Sequence, residues 1–483
     1  MTGGRRMAWR LAGSSGLALL LVAGCAALAP DSPRKAAAPP GTAATTAATP
    51  PTAGTPAARL SLPSGMAAEA AGGPLFGILG DQSKVLVQLD PGSLRPLPGR
   101  RLAIANTVAG YAWSPDRSTL VLGDNDQDAL YLVDAGRLRA LGKVWLDAPS
   151  AAQWFGWLGP RRLFAVVDAP LGDPGAEFGD AALVLVDPLA RRVVHRQNLH
   201  GRVHTAVSLG DRVVLLTTPV DGIGTAGLAI VDDRGKVRTV PLRAVSAGYG
   251  EPAEWTSTSV AARREAGLAV DRAGGRAFVV SAGAPVAEVD LSSLRVTYHG
   301  LSQPASLLRR LAGWLVPPAE AKLVSGPLRQ ACWLGDGLLA VWGSEARVVK
   351  DAGGELTVEE TPSGLKLVDT RRWTVLQVHP EATAVRWRGG RLLAFGVRWY
   401  EQERPGGIGL TVYGPGDRRP LRLFRNRPVH EVQVNGDLAY AASWADVYEK
   451  STVAVVDLRS GRVLTTRRGA PPYLLLGEDR MAC

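Results

Sequence analysis

Three aspartates at alternate positions form the most metal-like pattern in this chain of 483 residues. Asp124, Asp126 and Asp128 lie within the segment GDNDQDAL. Alternate residues of a loop can direct several carboxylate oxygens at one point, as Ca²⁺ requires. However, Ala129 stands where a calcium loop has its glycine, and no glutamate follows at the twelfth position. The segment therefore has two interpretations, a calcium site and an ordinary polar loop between strands.

A single cysteine near the N-terminus carries a second kind of chemistry. Cys25 follows the apolar run Leu11–Ala23, which is too short to span a bilayer comfortably, and Arg5, Arg6 and Arg10 precede that run. A positive end, an apolar core and then small residues are typical of a signal peptide. Among side chains, the cysteine thiol is well suited as a nucleophile that accepts a lipid.

The residues Val22-Ala23-Gly24-Cys25 resemble the lipobox of bacterial lipoproteins. The resemblance implies that residues 1–24 are a signal peptide and that cleavage occurs before Cys25. It also implies a diacylglycerol on the Cys25 thiol, which would anchor the protein to a membrane outside the cytoplasm. The alternative is an ordinary secretory signal in which Cys25 lies near the cut by coincidence.

Residues 25–73 are predicted to be a disordered tether. Alanine, proline, threonine and glycine dominate this stretch, with PPGTAATTAATPPTAGTP at its centre, and large apolar residues are nearly absent. Such a segment cannot bury enough surface to offset the entropy lost on ordering. Residues 74–483 are therefore predicted to be the folded domain.

One segment of the folded domain switches to a helical pattern. In PASLLRRLAGWLVPPAEAK, a helix over about 304–318 places Leu311 and Trp314 on one face and Arg309 and Arg310 on another. The preferred interpretation is a structural helix that lids one end of the domain. The alternative is a binding surface for a partner or for an anionic membrane interface, formed by those four residues.

A phrase of about eleven residues recurs along the folded domain. Each copy has apolar residues, an aspartate, a few polar residues and another β-prone run. Several steps are 43 to 45 residues long, and longer steps indicate loop insertions. Because aspartate accepts backbone hydrogen bonds in tight turns, we assign these residues to turns and not to acid chemistry. The seven aspartates are Asp90, Asp134, Asp187, Asp232, Asp290, Asp369 and Asp457, and Gly414 occupies the equivalent place in one further copy.

Four short strands per period are predicted from the same repeats. In AGYAWSPDRSTLVLGDNDQDALYLVDAGRLRALG, which starts at Ala109, turn residues separate four β-prone runs. Four strands with a period near 44 residues indicate the blade of a β-propeller. The first repeat has only three strands, and the run that starts at Pro471 is a strand without a blade. We expect this last strand to complete the first blade, which gives eight blades, with seven as the alternative.

These repeats resemble the YVTN and WD40-like propellers of exported bacterial proteins, and WSPDRSTLVLG is similar to the TolB-type repeat. The resemblance extends from about Gly73 to Cys483 and implies an all-β fold of four-stranded blades. The tryptophan docking signature of quinoprotein repeats is not evident, and neither is the Trp-Asp dipeptide of WD40 blades. No site residue is therefore transferred from a family.

The positive charge of the chain does not indicate a nucleic-acid binder. The formal net charge is +11, and removing the three arginines before Cys25 leaves about +8. The arginines are scattered in the sequence, whereas a nucleic-acid site gathers them on one face with aromatic residues between them. Weak attraction to anionic lipid or to a wall polymer stays open. Besides Cys25 only Cys332 and Cys483 are present, and whether they form a disulfide is also left open.

Short catalytic motifs give no support for an enzyme. The sequence has no Gly-x-Ser-x-Gly elbow, Walker loop or HExxH helix, and we expect the closely spaced His200 and His204 to face solvent or to cap a strand. The predicted function is a lipid-anchored binding or scaffolding module at the cell envelope, with an envelope protein or wall polymer as partner. The alternative is an envelope enzyme, or a carbohydrate- or small-molecule-binding protein, with a site at the mouth of the propeller channel.

Overall fold

The computed structural model describes residues 62–63, 72–79, 84–104, 108–124, 127–169, 179–220, 222–249, 263–301, 328–350, 356–398, 406–415, 419–443, 452–468 and 474–477. One compact unit runs from Leu60 to Cys483, and the other unit, Met1–Arg59, lies outside the described residues. Regular structure in the described residues is entirely β-strand. Within those residues no helix has the length and apolar character needed to cross a membrane.

Short runs of β-branched and aliphatic residues, separated by turn residues, form the strands. Blades 1 to 4 contain, in chain order, β1 (Leu75–Leu79), β2 (Lys84–Leu89), β3 (Pro96–Ile104), β4 (Val108–Trp113), β5 (Thr119–Asp124), β6 (Ala129–Asp134), β7 (Arg139–Trp145), β8 (Trp154–Leu158), β9 (Arg162–Asp168), β10 (Ala181–Asp187), β11 (Arg192–Leu199), β12 (Arg202–Ser208), β13 (Arg212–Thr218), β14 (Gly222–Asp232), β15 (Val237–Tyr249) and β16 (Arg263–Arg264).

The remaining strands form blades 5 to 8 and complete blade 1. They are β17 (Gly267–Asp271), β18 (Arg276–Val280), β19 (Val286–Asp290), β20 (Val296–His299), β21 (Leu328–Gly335), β22 (Leu338–Lys350), β23 (Leu356–Pro362), β24 (Leu365–Asp369), β25 (Thr374–His379), β26 (Ala384–Arg388), β27 (Arg391–Arg398), β28 (Gly406–Tyr413), β29 (Leu421–Leu423), β30 (Glu431–Asn435), β31 (Leu438–Ser443), β32 (Thr452–Asp457), β33 (Val463–Arg468) and β34 (Leu474–Leu476).

Each blade is an antiparallel sheet in which strands that follow one another in the chain are neighbours. Blade 4 adds β16 beyond its outer strand β15, and blade 6 adds β23, which pairs with the extended end of β22. The first strands of blades 2 to 6 lie beside one another in succession, so the first strands surround the axis and the fourth strands form the outer wall. The structure is therefore an eight-bladed β-propeller of four-stranded blades, as the repeats predict.

The last strand of the chain completes blade 1 and closes the ring. β34 pairs antiparallel with β1, so that Phe76 lies opposite Leu476 and Ile78 opposite Leu474. The order in this sheet is β3-β2-β1-β34, which puts the C-terminal strand in the innermost position. The expectation that the run after Pro471 completes the first blade is confirmed, and the alternative of seven blades is wrong. Pairing of β1 by β34 leaves no open inner edge at the start of the ring.

The hydrophobic core lies in the gaps between blades. Eight clusters of buried apolar residues each combine two neighbouring blades, and together they fill all eight gaps. Phe76 and Trp113 meet between blades 1 and 2 with ring centroids 5.5 Å apart. Phe278 and Trp333 stack at 5.1 Å between blades 5 and 6. Because each blade is apolar on both faces, its burial depends on both neighbours.

The compact unit begins before the predicted domain boundary at Gly73. Leu62 is 7% exposed and packs near Cys332 in the cluster between blades 6 and 7. Pro63 lies beside Gly335 at the end of β21. These described residues of the predicted tether therefore belong to the folded unit, because Leu62 supplies an apolar side chain that fills this gap.

Candidate functional site

The ring has two ends that differ in structure. Because the strands of a blade are antiparallel, the turns between its first and second strands and between its third and fourth strands lie at one end, which we call the turn end. The connections from second to third strand, and from each blade to the next, lie at the other end, the loop end. Loop-end connections reach 13 residues before β16 and 28 residues before β21.

The repeated aspartates lie at the turn end and fix its turns. The carboxylate of Asp90 accepts the N–H of Ser93 at 2.8 Å, and that of Asp187 accepts the N–H groups of Leu189 and Ala190 at 3.0 and 2.9 Å. Backbone N–H groups donate in the same way to the other five, which are Asp134, Asp232, Asp290, Asp369 and Asp457. The assignment of the repeated aspartates to turns is confirmed.

Hydrogen bonds stabilise the ionised form of the Asp90 and Asp187 carboxylates. The pKa of Asp90 lies below its ordinary value because the hydroxyl and then the N–H of Ser93 donate to it. The pKa of Asp187 is lowered first by the N–H of Ala190 and then by the side chain of Arg162. At these two positions the turn is therefore built on an ionised aspartate at neutral pH.

Arginines beside the turns bind the neighbouring blade. In three gaps an outer-strand guanidinium donates to carbonyl oxygens in the turn that follows a repeated aspartate of the next blade. These contacts explain part of the arginine excess, and no local sequence signal marks them. The donors and acceptors are Arg100 with Ala135 and Gly136 (3.2 and 2.7 Å), Arg238 with Leu291 and Ser292 (2.9 and 3.0 Å), and Arg467 with Leu94.

Two hairpins extend the loop end on blades 4 and 6. β14 and β15 stay paired to Gly222 and Tyr249, and β22 forms its hairpin with β23. Blade 5 lies between them and is joined to both sides, because β16 pairs with β15 and Glu265 forms a parallel bridge with Leu328 at the start of β21. Blades 4, 5 and 6 thus share a continuous backbone network at the loop end.

Charged side chains gather in this part of the loop end. Arg263 Nη1 lies 3.7 Å from Glu265 Oε1, and the guanidinium of Arg329 pairs with Glu345. Lys366 is half-buried at the start of β24, and its pKa lies below the ordinary value because of burial and then because of the charge of Arg329. Three cations beside two carboxylates give this loop-end cluster a net positive charge, which suits an anionic group on a partner or ligand.

Two buried histidines are neutral at physiological pH. Burial, followed by the charge of Arg202, lowers the pKa of His204 to about 4, and burial lowers the pKa of His430 to about 4. His204 is 5% exposed, so the expectation that it faces solvent or caps a strand is wrong. It is the third residue of β12 and packs inward, whereas His200 is exposed as expected.

Two of the three predicted calcium ligands are bonded to protein groups. Asp124 is buried, and Lys143 Nζ lies 3.9 Å from its Oδ2. Asp128 Oδ2 accepts the N–H of Ala148 at 3.0 Å. Asp126 lies outside the described residues, so the calcium site stays a prediction. Across the described parts of the chain no group of three or more His, Cys, Asp or Glu side chains could hold a metal ion.

Two other predicted sites also lie outside the described residues. They are Cys25 and the segment 304–318, the latter with Arg309, Arg310, Leu311 and Trp314. Lipidation and the amphipathic helix therefore stay predictions. Cys332, which is buried on β21, is disulfide-bonded.

A cluster of charged and aromatic side chains fills the gap between blades 5 and 6. His299 Nε2 lies 2.8 Å from Glu288 Oε2, and its ring stacks on Trp373 at 3.7 Å. Arg276 pairs with Asp271 at 2.9 Å and with Glu288 at 3.0 Å. Sequence reasoning missed this cluster, because its members come from four separate strands and one turn. The ion pairs lie within blade 5, and the stacking of His299 on Trp373 crosses the gap to blade 6, which gives the cluster a structural role.

Comparison with known proteins finds similarity only among solved structures. No protein-family model matches the chain, and no curated protein sequence matches it. The dihydro-heme d1 dehydrogenase NirN in complex with DHE is 14% identical with a TM-score of 0.50, over 87% of this chain and 79% of that one. BamB from Moraxella catarrhalis is 13% identical with a TM-score of 0.42, over 80% and 96% of the two chains. The periplasmic gluconolactonase PpgL of Pseudomonas aeruginosa is 15% identical with a TM-score of 0.39, over 84% and 98%.

At these identities the comparisons concern the fold alone. The order of strands in the eight sheets places the chain among the β-propellers. Within that class it is an eight-bladed ring, closed by its C-terminal strand, with aspartate-fixed turns at one end and extended hairpins at the other.

Proposed function

We propose that this protein is a lipid-anchored binding or scaffolding module at the bacterial cell envelope. The observation that carries the binding role is the difference between the two ends of the ring. Tight turns fixed by aspartates occupy the turn end, whereas the long connections, the two extended hairpins and the loop-end cluster occupy the other. Loops held by a rigid scaffold commonly carry binding surfaces, so the loop end is the proposed binding end.

The sequence before the ring supports the anchor and the extracytoplasmic location. The lipobox-like residues end at Cys25, and 37 positions separate Cys25 from Leu62, the first described residue of the ring. A flexible segment of that length has an end-to-end distance of about 30–36 Å. The tether would therefore keep the ring near the membrane and leave the loop end accessible.

The alternative function is an envelope enzyme or a small-molecule-binding protein. The loop-end cluster favours a site for an anionic ligand, because Arg329 lies on the innermost strand of blade 6 and Lys366 is half-buried beside it. A carboxylate or phosphate would be the group that such a site recognises.

Site-specific photo-crosslinking in living cells tests the binding role. A photoreactive residue at Ile223, which is 44% exposed on the extended hairpin of blade 4, probes the loop end. The matched position is Leu189, which is 87% exposed in a turn of blade 3 at the turn end. We expect discrete protein or wall-polymer adducts from position 223 and none from position 189. The same protein or wall-polymer adducts from both positions, or such adducts from position 189 alone, would contradict the assignment.

A further inference from the structure

We propose that the turn end of the ring docks on a membrane surface rich in anionic phospholipid. This inference rests on the proposed lipid anchor and adds which end of the ring faces the membrane. The alternative occupant of the same surface is an anionic wall polymer, which the experiment below distinguishes.

The turns between third and fourth strands present an excess of cations at the surface. Seven segments run from a repeated aspartate to the fifth residue after it, and together they contain twelve Lys or Arg and eight Asp. All twelve basic residues are exposed. The seven repeated aspartates are only partly exposed, because their carboxylates turn back onto backbone N–H groups, and the eighth, Asp233, is exposed. At these turns an approaching surface would therefore meet twelve exposed basic side chains and one exposed carboxylate.

The turns between first and second strands add to this excess. They contain eight Lys or Arg and five Asp, in the segments Ser114–Ser118, Gly159–Arg162, Leu209–Arg212, Asp271–Arg276, Leu334–Gly337, Arg388–Arg391 and Asn435–Asp437. With both sets of turns, basic residues exceed acidic residues by seven at this end. This is most of the net charge of about +8 after Cys25, so the ring gathers at one end the arginines that are scattered in the sequence.

The chain also enters the ring at the turn end. Asn435, the last residue of β30, donates from Nδ2 to the carbonyl oxygen of Gly73 at 2.8 Å. Pro63 lies beside Gly335, the last residue of β21. The first strand of every blade runs from the loop end to the turn end, so both contacts lie at the turn end. The described residues that precede β1 and the basic surface are therefore at the same end of the ring.

This arrangement favours a membrane as the occupant. Basic groups close to anionic headgroups are attracted to them, and the attraction falls off within a Debye length, about 8 Å at physiological ionic strength. The proposed anchor, joined to the ring through residues at this end, would raise the effective concentration of headgroups at this surface. With the turn end on the membrane, the loop end would face away from it.

Vesicle binding by an unlipidated chain tests the proposal. The chain begins at Ala26, so that it has neither the apolar run nor the lipid, and it retains the whole compact unit from Leu60 to Cys483. It is sedimented with vesicles of phosphatidylglycerol and phosphatidylcholine, or of phosphatidylcholine alone, in 50 and 300 mM NaCl. We expect binding to the anionic vesicles at low salt, at least about tenfold weaker binding at high salt, and none to the neutral vesicles.

Two triple variants with the same charge change separate the two ends of the ring. At the turn end, Arg137, Arg234 and Arg372 are exposed, and their joint change to glutamine should weaken vesicle binding at least about tenfold. The control changes three exposed arginines of the loop end to glutamine and should alter binding less than about twofold; these are Arg202, Arg243 and Arg468. Equal melting temperatures will show that both variants are folded.

Three results would overturn membrane docking: no binding to anionic vesicles in 50 mM NaCl, equal losses in the two triple variants, or binding to purified wall polymer but not to vesicles. The proposed anchor is judged separately, by whether the full chain acquires a diacylglyceryl mass. The Ala26 chain carries no lipid in any case, so failure of the anchor and failure of docking are distinguishable.

Discussion

Replacing Leu476 with alanine tests how the ring is closed. Leu476 is fully buried in the cluster between blades 1 and 2, together with Phe76, Ile78 and Trp113. β34 has only three residues, and the indole N–H of Trp113 donates to the carbonyl oxygen of Gly477 at 2.7 Å, which holds its end in place. Truncation of a buried leucine costs about 2–5 kcal/mol, and so short a strand has few other contacts to compensate. We therefore expect a loss of about 3 kcal/mol in the free energy of unfolding.

Thermal unfolding and amide hydrogen exchange measure this loss. A loosened β34 leaves the edge of β1 unpaired, so the amides of β1 should lose protection in the variant before those of other blades. The control is Leu189→Ala, whose side chain is 87% exposed at the turn end and whose replacement should change stability by less than about 0.5 kcal/mol. Equal, small losses in the two variants, with protection of β1 unchanged, would refute closure of the ring by β34.

Four further perturbations follow from the structure. Asp90→Ala should lower the melting temperature by a few degrees at pH 7. Because the pKa of Asp90 is depressed in the folded state, its stabilisation is present above the ordinary Asp pKa of about 3.9 and is lost as the pH falls. If wild type and variant differed in melting temperature as much at pH 3 as at pH 7, the assignment would be contradicted. Arg238→Lys should lower the free energy of unfolding by about 1–2 kcal/mol, because Arg238 makes two carbonyl contacts with the next blade. The control, Arg243→Lys, changes an exposed position of the same strand and should leave the free energy of unfolding unchanged. Equal effects of the two changes would argue against the contact between blades. Millimolar Ca²⁺ raises the melting temperature if the aspartate loop binds it, and an unchanged melting curve removes that site. Joint replacement of Leu311 and Trp314 by serine should lower the melting temperature if the predicted helix packs on the ring; unchanged stability with lost membrane or partner association would instead support the binding interpretation.

The repeat made most of the fold predictable. The aspartate that fixes each turn has the same physical role in seven blades, so it marks the third strand of a blade wherever it occurs. The three-stranded first repeat and the solitary strand after Pro471 then require each other, because an unpaired edge of β1 would be exposed. The local sequence therefore predicted four strands for each blade, and the missing fourth strand of the first repeat predicted that the C-terminal strand closes the ring.

The contacts between blades could not be predicted in the same way. Arg238 finds its acceptors in the turn of the next blade, 53 and 54 residues away, and nothing beside it in the sequence marks that turn. His204 follows the exposed His200 by only four residues, yet its place inside β12 buries it. Leu62 lies in a stretch typical of a tether but fills a gap between blades 6 and 7.

The basic turn end shows why the amino-acid composition alone could not predict where the positive charge lies. The arginines recur near the repeated aspartates at intervals of one blade, which appears as scatter along the chain. Only the antiparallel order of each blade, repeated around the ring, brings these positions to one end. The loop end is less predictable, because its connections differ in length from blade to blade and have no shared pattern.

The intact mass of the protein expressed in a bacterial host tests the proposed place of this ring most directly. The wild-type chain and Cys25→Ser are compared by mass spectrometry and by partitioning into detergent. We predict a diacylglyceryl mass on a wild-type chain cleaved before Cys25, with partitioning into detergent that the variant lacks. Cleavage of both chains at another position, with both remaining in the aqueous phase, would contradict the lipid anchor and favour a freely secreted binding protein or enzyme.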